Sequence, residues 1–111
     1  MINLMIRRRY GVGLIFLIGA LLLPPAMVWA DGKSIYQKKG CVNCHGIEGR
    51  EPARDDYPII SGQKRDYLVR QMKDIKSGAR QNGQSVSMRS IMEFVSDQEI
   101  TQIAEYLQSL D

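Results

Sequence analysis

The residues best suited to chemistry in this chain form one short segment, Cys41-Val42-Asn43-Cys44-His45. Two thiols three positions apart can each form a thioether with one vinyl group of a haem, and a histidine directly after the second cysteine can reach the iron from the same side. The 111-residue sequence contains two cysteines and one histidine, and all three lie here. The segment therefore predicts one haem c, bound covalently through Cys41 and Cys44, with His45 as an axial ligand.

Other uses of a C-x-x-C pair fit this sequence less well but stay open at this point. Structural zinc needs four ligands, usually as two separated pairs, and the chain supplies three. A redox dithiol uses C-x-x-C on a βαβ scaffold, and no alternating β-branched strands flank the motif. A disulfide between Cys41 and Cys44 would close a loop too short to restrain the unfolded chain much.

The start of the chain is typical of a secretory signal peptide. The segment 1–10 contains three arginines and no acid, the segment 12–23 is almost wholly apolar, and the leader closes on the small residue Ala30. An uncleaved anchor is the alternative, since 11–30 could just span a bilayer, but Pro24-Pro25 interrupt it. We expect cleavage after Ala30 and a periplasmic protein.

Residues 31–111 then form one domain with balanced charge. The whole chain has 15 Lys and Arg against 12 Asp and Glu. The leader accounts for three arginines and no acid, so as many bases as acids remain. The basic character of the precursor is thus no evidence for a nucleic-acid partner. A domain this small builds a marginal core, which a covalently held porphyrin would complete.

The exported part of the chain has helical periodicity, and no segment alternates as a strand would. A short helix is predicted over 34–38, where a glycine follows its end. An amphipathic helix is predicted over 66–77, and a capping box at Ser96-Asp97-Gln98-Glu99 predicts the start of a third helix. The segments 44–61 and 80–87 are predicted to be loops. The fold class is therefore all-α, with three main helices.

The chain resembles the class I c-type cytochromes, in particular the small bacterial proteins with one haem. The similarity runs from Gly32 to Leu110. The matching residues are Gly32-Lys33-Ser34-Ile35-Tyr36, Cys41-Val42-Asn43-Cys44-His45-Gly46, Tyr57-Pro58-Ile59-Ile60-Ser61-Gly62-Gln63, Tyr67-Leu68, Gln71-Met72, Met88, Ile91, Val95-Ser96-Asp97 and Ile103-Ala104-Glu105-Tyr106-Leu107. The resemblance implies the cytochrome c fold, in which the N- and C-terminal helices cross and a third helix packs beside the haem. It also implies that Tyr36 and Tyr106 meet at the crossing.

A methionine is the expected second axial ligand, because the chain has no second histidine. Met72 lies on the apolar face of its predicted helix, where a methionine usually fills the core. Met88 follows a polar stretch in which an uncoordinated thioether would be exposed, and it matches the ligand position of the family. Met92 is the rival, since it neighbours Ile91 and could point to either side. The prediction is Met88, with Met92 left open.

The resemblance also gives Pro58 a role beside His45. A ligating imidazole usually donates its other N–H to a carbonyl group, which fixes its orientation. The family acceptor is the backbone carbonyl of Pro58, so this residue counts among those that bind the haem; a plain turn breaker is the simpler interpretation. The family often has alanine where Ser61 stands, so whether that hydroxyl meets haem or water stays open.

Electron exchange is the function that this ligand set predicts. With histidine on one face of the iron and methionine on the other, no position stays open for a substrate. We expect a periplasmic one-electron carrier with no catalytic residues of its own. A haem subunit of a periplasmic oxidoreductase, for example a flavin-linked sulfide dehydrogenase, needs the same site and is the first alternative. A haem enzyme or gas sensor would need an open iron, with Met88 as a bystander.

The expected partners are redox proteins, bound transiently or as a catalytic subunit. The segment 64–80 carries six basic and two acidic residues, whereas everything after Arg89 carries five acids and no base. This separation either forms a docking face or complements the helix ends. Lys38 and Lys39 are expected to flank the haem edge and could help orient an acidic partner, although such a pair is more commonly just solvated. The free protein is expected to be a monomer, without nucleic acid, and to contact a membrane only if the leader is retained.

Overall fold

The computed structural model describes residues 31–110, which form five α-helices and, within that range, no β-strand. We number the helices in chain order: α1 Gly32–Lys38, α2 Val42–His45, α3 Arg65–Ser77, α4 Ser85–Met92 and α5 Asp97–Gln108. The all-α prediction is confirmed. The predicted signal peptide and its cleavage site after Ala30 lie outside the described residues. From 31 to 110, no helix is both long enough and apolar enough to cross a bilayer.

Local capping signals set where the first, third and last helices begin or end. The Asp31 carboxylate accepts a hydrogen bond from the Ser34 backbone N–H at 2.7 Å and so starts α1. Ser96 and Glu99 form the predicted capping box at the start of α5, each side chain accepting from the backbone N–H of the other at 3.2 and 2.9 Å. Helix α3 ends at Gly78, whose φ of 84° a glycine adopts without strain.

Helices α1 and α5 cross in close contact. A Cβ atom on Gly32 would collide with the backbone carbonyl of Gln102 and come within 2.7 Å of the Tyr106 Cβ. One turn further along α1, the Tyr36 ring meets the Tyr106 ring with centroids 5.7 Å apart. The predicted aromatic contact is confirmed, and the glycine lets the two backbones approach closely enough to make it.

The hydrophobic core lies where α1, α3 and α5 meet, and we call these three helices the helix frame. On α5, apolar residues at helical spacing from Ile100 to Leu107 form a stripe that is at most 2% exposed. The buried apolar residues are Ile35, Tyr36, Leu68, Met72, Ile75, Met92, Val95, Ile100, Ile103, Ala104 and Leu107. Nine of these eleven belong to the frame, so its three helices bury most of their apolar surface against one another.

Helix α4 differs from the prediction. The sequence predicts a loop over 80–87, whereas the structure begins a helix at Ser85, and that part of the prediction is wrong. The helical spacing is hidden because the side chain buried in the first turn is polar, that of Ser85, and because no side chain caps the N-terminus. Met88 therefore lies on a helix and not in a loop.

The basic helix α3 and the acidic helix α5 pair with each other. Lys73 Nζ and Lys76 Nζ lie 3.4 and 3.8 Å from the Asp97 carboxylate oxygens. Arg65 Nε lies 3.3 Å from Glu105 Oε1. The charge separation along the sequence is thus partly neutralised inside the fold.

Candidate haem-binding site

The two cysteines and the histidine lie on one tight turn. Cys41 precedes the one-turn helix α2, which contains Cys44 and His45. The turn is tied at both ends, because the Cys41 N–H donates to the Tyr36 carbonyl at 3.2 Å and the Ala53 N–H donates to the Cys44 carbonyl at 2.9 Å. No disulfide joins the two cysteines. Burial raises the pKa of the Cys41 thiol to about 11, so it is protonated at neutral pH in the folded polypeptide.

The chain reverses direction directly after His45, at Gly46. Its φ is 83°, and a Cβ atom there would collide with the backbone of Glu51, so the turn requires glycine. The Gly46 carbonyl accepts a hydrogen bond from the Tyr36 hydroxyl at 2.7 Å. Burial raises the pKa of Tyr36, so this hydroxyl stays a donor. Because Tyr36 also packs in the α1–α5 crossing, it connects the helix frame to the turn that carries the histidine.

His45 is oriented by a backbone carbonyl on the following loop. Its ring is 7% exposed, and Nδ1 lies 3.0 Å from the Pro58 carbonyl oxygen. A carbonyl can only accept, so Nδ1 carries the proton and Nε2 keeps a lone pair. Burial lowers the pKa of the imidazole, more than the Pro58 hydrogen bond raises it, so the ring is neutral at pH 7. A neutral imidazole with a free Nε2 is the form that binds a metal ion.

The three methionines of the described chain differ in burial. Met72 is 7% exposed and Met92 2% exposed, and both belong to the core. Met88 is only partly buried and packs against the edge of the core. It lies four residues before Met92, hence on the same side of α4. The prediction that an uncoordinated Met88 would be exposed is therefore wrong, since its side chain is partly buried against the core. Met88 is nevertheless the least buried of these three methionines.

Several large apolar side chains of the described residues are exposed on the polypeptide. They are Ile47, Ile59, Tyr67, Val86, Ile91 and Phe94. Ile59 follows Pro58 in sequence, and Ile91 lies three residues after Met88, hence close to it on the surface of α4. Exposed apolar surface near the candidate ligands is what a large apolar cofactor would cover. Together with the two thiols and the neutral imidazole, it fits a covalently bound haem.

The Ser61 hydroxyl is buried and has no hydrogen-bond partner among the described residues. Its backbone N–H donates to the Gly49 carbonyl at 3.2 Å, and the next N–H, of Gly62, donates to the Leu107 carbonyl at 2.9 Å. The loop is thus tied to α5 by its backbone, while the serine oxygen contributes nothing to that attachment.

Sequence reasoning missed one side-chain link at this site, between Asp56 and Gln84. Gln84 Nε2 donates to Asp56 Oδ2 at 3.0 Å, which joins the loop before Pro58 to the start of α4. The two residues are 28 positions apart, and no local pattern pairs them.

The two lysines before Cys41 do not behave as the predicted exposed pair. Lys39 Nζ donates to the Phe94 carbonyl at 2.6 Å and lies 3.2 Å from the Glu99 carboxylate. Lys76 makes the neighbouring bond, to the Val95 carbonyl at 2.6 Å. Lys39 therefore holds the linker between α4 and α5, whereas Lys38 is exposed. The prediction that both lysines orient a partner is wrong for Lys39.

Comparison with known proteins agrees with this geometry. The family profile described as cytochrome c matches residues 29–111. Cytochrome c4 of Azotobacter vinelandii is 34% identical over 75% of this chain and 40% of its own length. Cytochrome c-553 of Nitratidesulfovibrio vulgaris is 32% identical over 77% of this chain and 81% of its own length. A thiosulfate dehydrogenase electron acceptor of Stutzerimonas stutzeri is 32% identical over 84% of this chain and 45% of its own length. The chain thus spans less than half the length of two of these three relatives.

Proposed function

The chain belongs to the cytochrome c family, and from that premise we propose that it is a periplasmic one-electron carrier with histidine and methionine as the axial ligands of one haem c. The family implies the covalent haem, and Cys41 and Cys44 carry the attachment motif. Its relatives are electron-transfer proteins rather than enzymes. A bound haem supplies a one-electron couple between Fe(II) and Fe(III).

The hydrogen bond between His45 Nδ1 and the Pro58 carbonyl is the observation that carries the proposal. It fixes the tautomer and the ring orientation that leave Nε2 for the metal. The hydrogen bond from the Tyr36 hydroxyl to the Gly46 carbonyl holds the turn directly after His45. This fixed ring orientation supports His45 as the proximal ligand.

Met88 is the sixth ligand that we propose, chiefly because the core already accommodates the other two methionines. Met72 and Met92 pack among apolar side chains. A soft thioether from Met88 would stabilise the ferrous state and close the iron to external ligands.

Two matched variants test this ligand. We expect Met88→Ala to lose the ferric charge-transfer band from methionine to iron and to bind carbon monoxide when reduced. Met92→Ala should keep the band and lose about 2 to 5 kcal/mol of unfolding free energy, because it leaves a cavity in the core. If the band survives in Met88→Ala and vanishes in Met92→Ala, the assignment is reversed.

Processing is tested by the mass of the purified protein. We propose a mature chain of residues 31–111 with one haem that acid and acetone do not extract. Intact mass spectrometry should show that polypeptide plus one haem. A mass equal to the bare polypeptide would contradict covalent attachment, and retention of residues 1–30 would make the protein a membrane-tethered carrier.

A role as the electron-accepting partner of an oxidoreductase is the second candidate. The likeness to a thiosulfate dehydrogenase electron acceptor favours it, since that relative takes electrons from an enzyme. Purification from the native host distinguishes the two roles. A free carrier elutes as a monomer, whereas a subunit elutes in a fixed ratio with an oxidoreductase.

A further inference from the structure

A chain of hydrogen bonds connects the loop that orients His45 to the first turn of α4. Asp56 lies two residues before Pro58 and accepts from Gln84 Nε2 at 3.0 Å. Gln84 is the N-cap residue of α4, and its carbonyl accepts from the Met88 N–H at 3.2 Å. One side chain therefore contacts the loop of the proposed proximal ligand while its own backbone carbonyl binds the residue proposed as the distal ligand.

Asp56 is held in place for this contact by Arg54. The guanidinium donates twice to the carboxylate, from Nε to Oδ1 at 2.8 Å and from Nη2 to Oδ2 at 3.0 Å. The Arg54 carbon Cζ also lies 5.4 Å from the centre of the Tyr57 ring. The bidentate contact with Arg54 fixes the orientation in which the Asp56 carboxylate accepts from Gln84. The negative charge of this carboxylate near the start of α4 also complements the helix dipole.

The start of α4 has little else to hold it. No side chain caps the helix, and the preceding Gly83 has open space around it. Val86 and Ser87, in the first turn, are exposed. The buried Ser85 is the one packed residue among 85–87, and the Gln84 side chain adds a second restraint at this end of α4.

We propose that the Asp56–Gln84 hydrogen bond, which we call the latch, holds the first turn of α4 against the loop that orients His45. The latch thereby keeps Met88 bound to the iron. Gln84 and Asp56 are positioning residues, and Arg54 orients Asp56. The proposal rests on Met88 as the sixth ligand. Because the bond is exposed, its loss shifts the equilibrium between attached and detached Met88 modestly, by about three- to fivefold.

Displacement of Met88 by imidazole in the ferric holoprotein measures that equilibrium. Apparent affinity for an external ligand rises in proportion to the detached population. We expect Gln84→Ala to raise the imidazole affinity about three- to fivefold, and Gln84→Glu, which sets two carboxylates face to face, to raise it at least as much. Gln84→Lys can pair with Asp56 and should restore the wild-type affinity. Gln81→Ala, an exposed glutamine in the same loop, is the matched control and should change nothing.

A merely structural role would lower global stability without changing the ligand equilibrium, so urea unfolding is measured alongside. Amide hydrogen exchange at Met88 gives a second readout that does not depend on the metal, and it should be faster in Gln84→Ala than in Gln81→Ala. Wild-type imidazole affinity and unchanged exchange in Gln84→Ala would overturn the latch. If instead Met88→Ala keeps the charge-transfer band, the assignment of Met88 as the sixth ligand is wrong, whereas the contact between the loop and α4 still stands.

Discussion

The helix frame and the two segments that face the site are built in opposite ways. We call residues 46–62 and 79–95 the site segments. The frame contributes nine of the eleven buried apolar residues of the described chain, and the site segments contribute Met92 and Val95. Of the six large apolar side chains that are exposed, five belong to the site segments and one, Tyr67, to the frame.

This difference teaches which part of the molecule depends on the cofactor. Polypeptide side chains cover most of the apolar surface of the frame. Polar bonds, such as that from Lys39 to the Phe94 carbonyl, join the site segments to the frame. Their apolar side chains are exposed on the polypeptide, where a bound haem would cover them. The two proposed iron ligands differ in the same way, since His45 is tied to the frame through Tyr36 and Gly46, whereas Met88 lies on a site segment.

The largest effect is expected from opening a cavity in the frame. Ile100 is fully buried, so Ile100→Ala should lower the unfolding free energy by about 2 to 5 kcal/mol, and Ile100→Val by about 0.5 to 1.5 kcal/mol. Urea unfolding of the holoprotein measures both. A loss below about 1 kcal/mol for the alanine variant would mean that the frame is not the source of stability, and the comparison would break.

A methyl group added at the α1–α5 crossing should cause the next largest loss of unfolding free energy. Gly32→Ala forces a Cβ into the Gln102 carbonyl, and we expect a loss of about 1 to 3 kcal/mol as the helices move apart. Lys33→Ala, at the neighbouring exposed position of α1, is the control and should stay within about 0.5 kcal/mol. Equal effects of the two variants would show that the helices do not approach as closely as described.

A smaller, pH-dependent effect is expected at Glu99, which caps α5 and pairs with Lys39 of the α1 end. The hydrogen bond from the Ser96 backbone N–H, more than the nearby Lys39, lowers the pKa of the Glu99 carboxyl. The contribution of the Glu99 carboxylate to the unfolding free energy is therefore complete above the ordinary glutamate pKa of about 4.3. It is lost as the pH falls through the lower pKa of the folded state. Glu99→Gln keeps an oxygen for the cap, so at pH 7 it should cost only about 0.3 to 1 kcal/mol.

Unfolding free energies measured from pH 7 downward check whether the stabilisation by Glu99 is lost in acid. The difference between wild type and Glu99→Gln should shrink in acid and disappear once Glu99 is protonated. Glu93→Gln, at an exposed position that ends α4, is the control. A difference that grows as the pH falls would contradict the assignment.

The smallest effect is expected at Ser61, in a site segment. If its buried hydroxyl has no partner in the holoprotein, Ser61→Ala removes a desolvation cost and stabilises the protein by up to about 1 kcal/mol. A loss of about 1 kcal/mol would instead mean that the hydroxyl meets the haem or a water molecule. Thermal unfolding of the two holoproteins decides between these results.

Features that a few neighbouring residues determine could be predicted from the sequence. The capping box of α5 is contained within Ser96 to Glu99, and the amphipathic pattern of α3 is visible in one stretch. The meeting of Tyr36 and Tyr106 was predicted from the family resemblance, since the two positions lie far apart in the chain.

Features that join distant residues could not be predicted. The bonds from Lys39 to Phe94 and from Gln84 to Asp56 span 55 and 28 positions, and both use ordinary surface side chains that have no special spacing. Helix α4 was missed for a related reason. It has no cap and buries a serine in its first turn, so contacts with the rest of the fold, rather than a local signal, establish it.

The packing of α1 on α5 also sets an order of events during synthesis. The first helix of the described chain needs the last one to bury Tyr36, so the frame cannot close until the C-terminal residues have been made. Cys41 and Cys44 follow α1 directly and emerge as open chain well before α5 does. In that interval their thiols are accessible, whereas in the closed frame Cys41 is protonated and partly covered. The order of helices along the chain therefore leaves an interval, before the frame closes, in which a haem can reach both thiols.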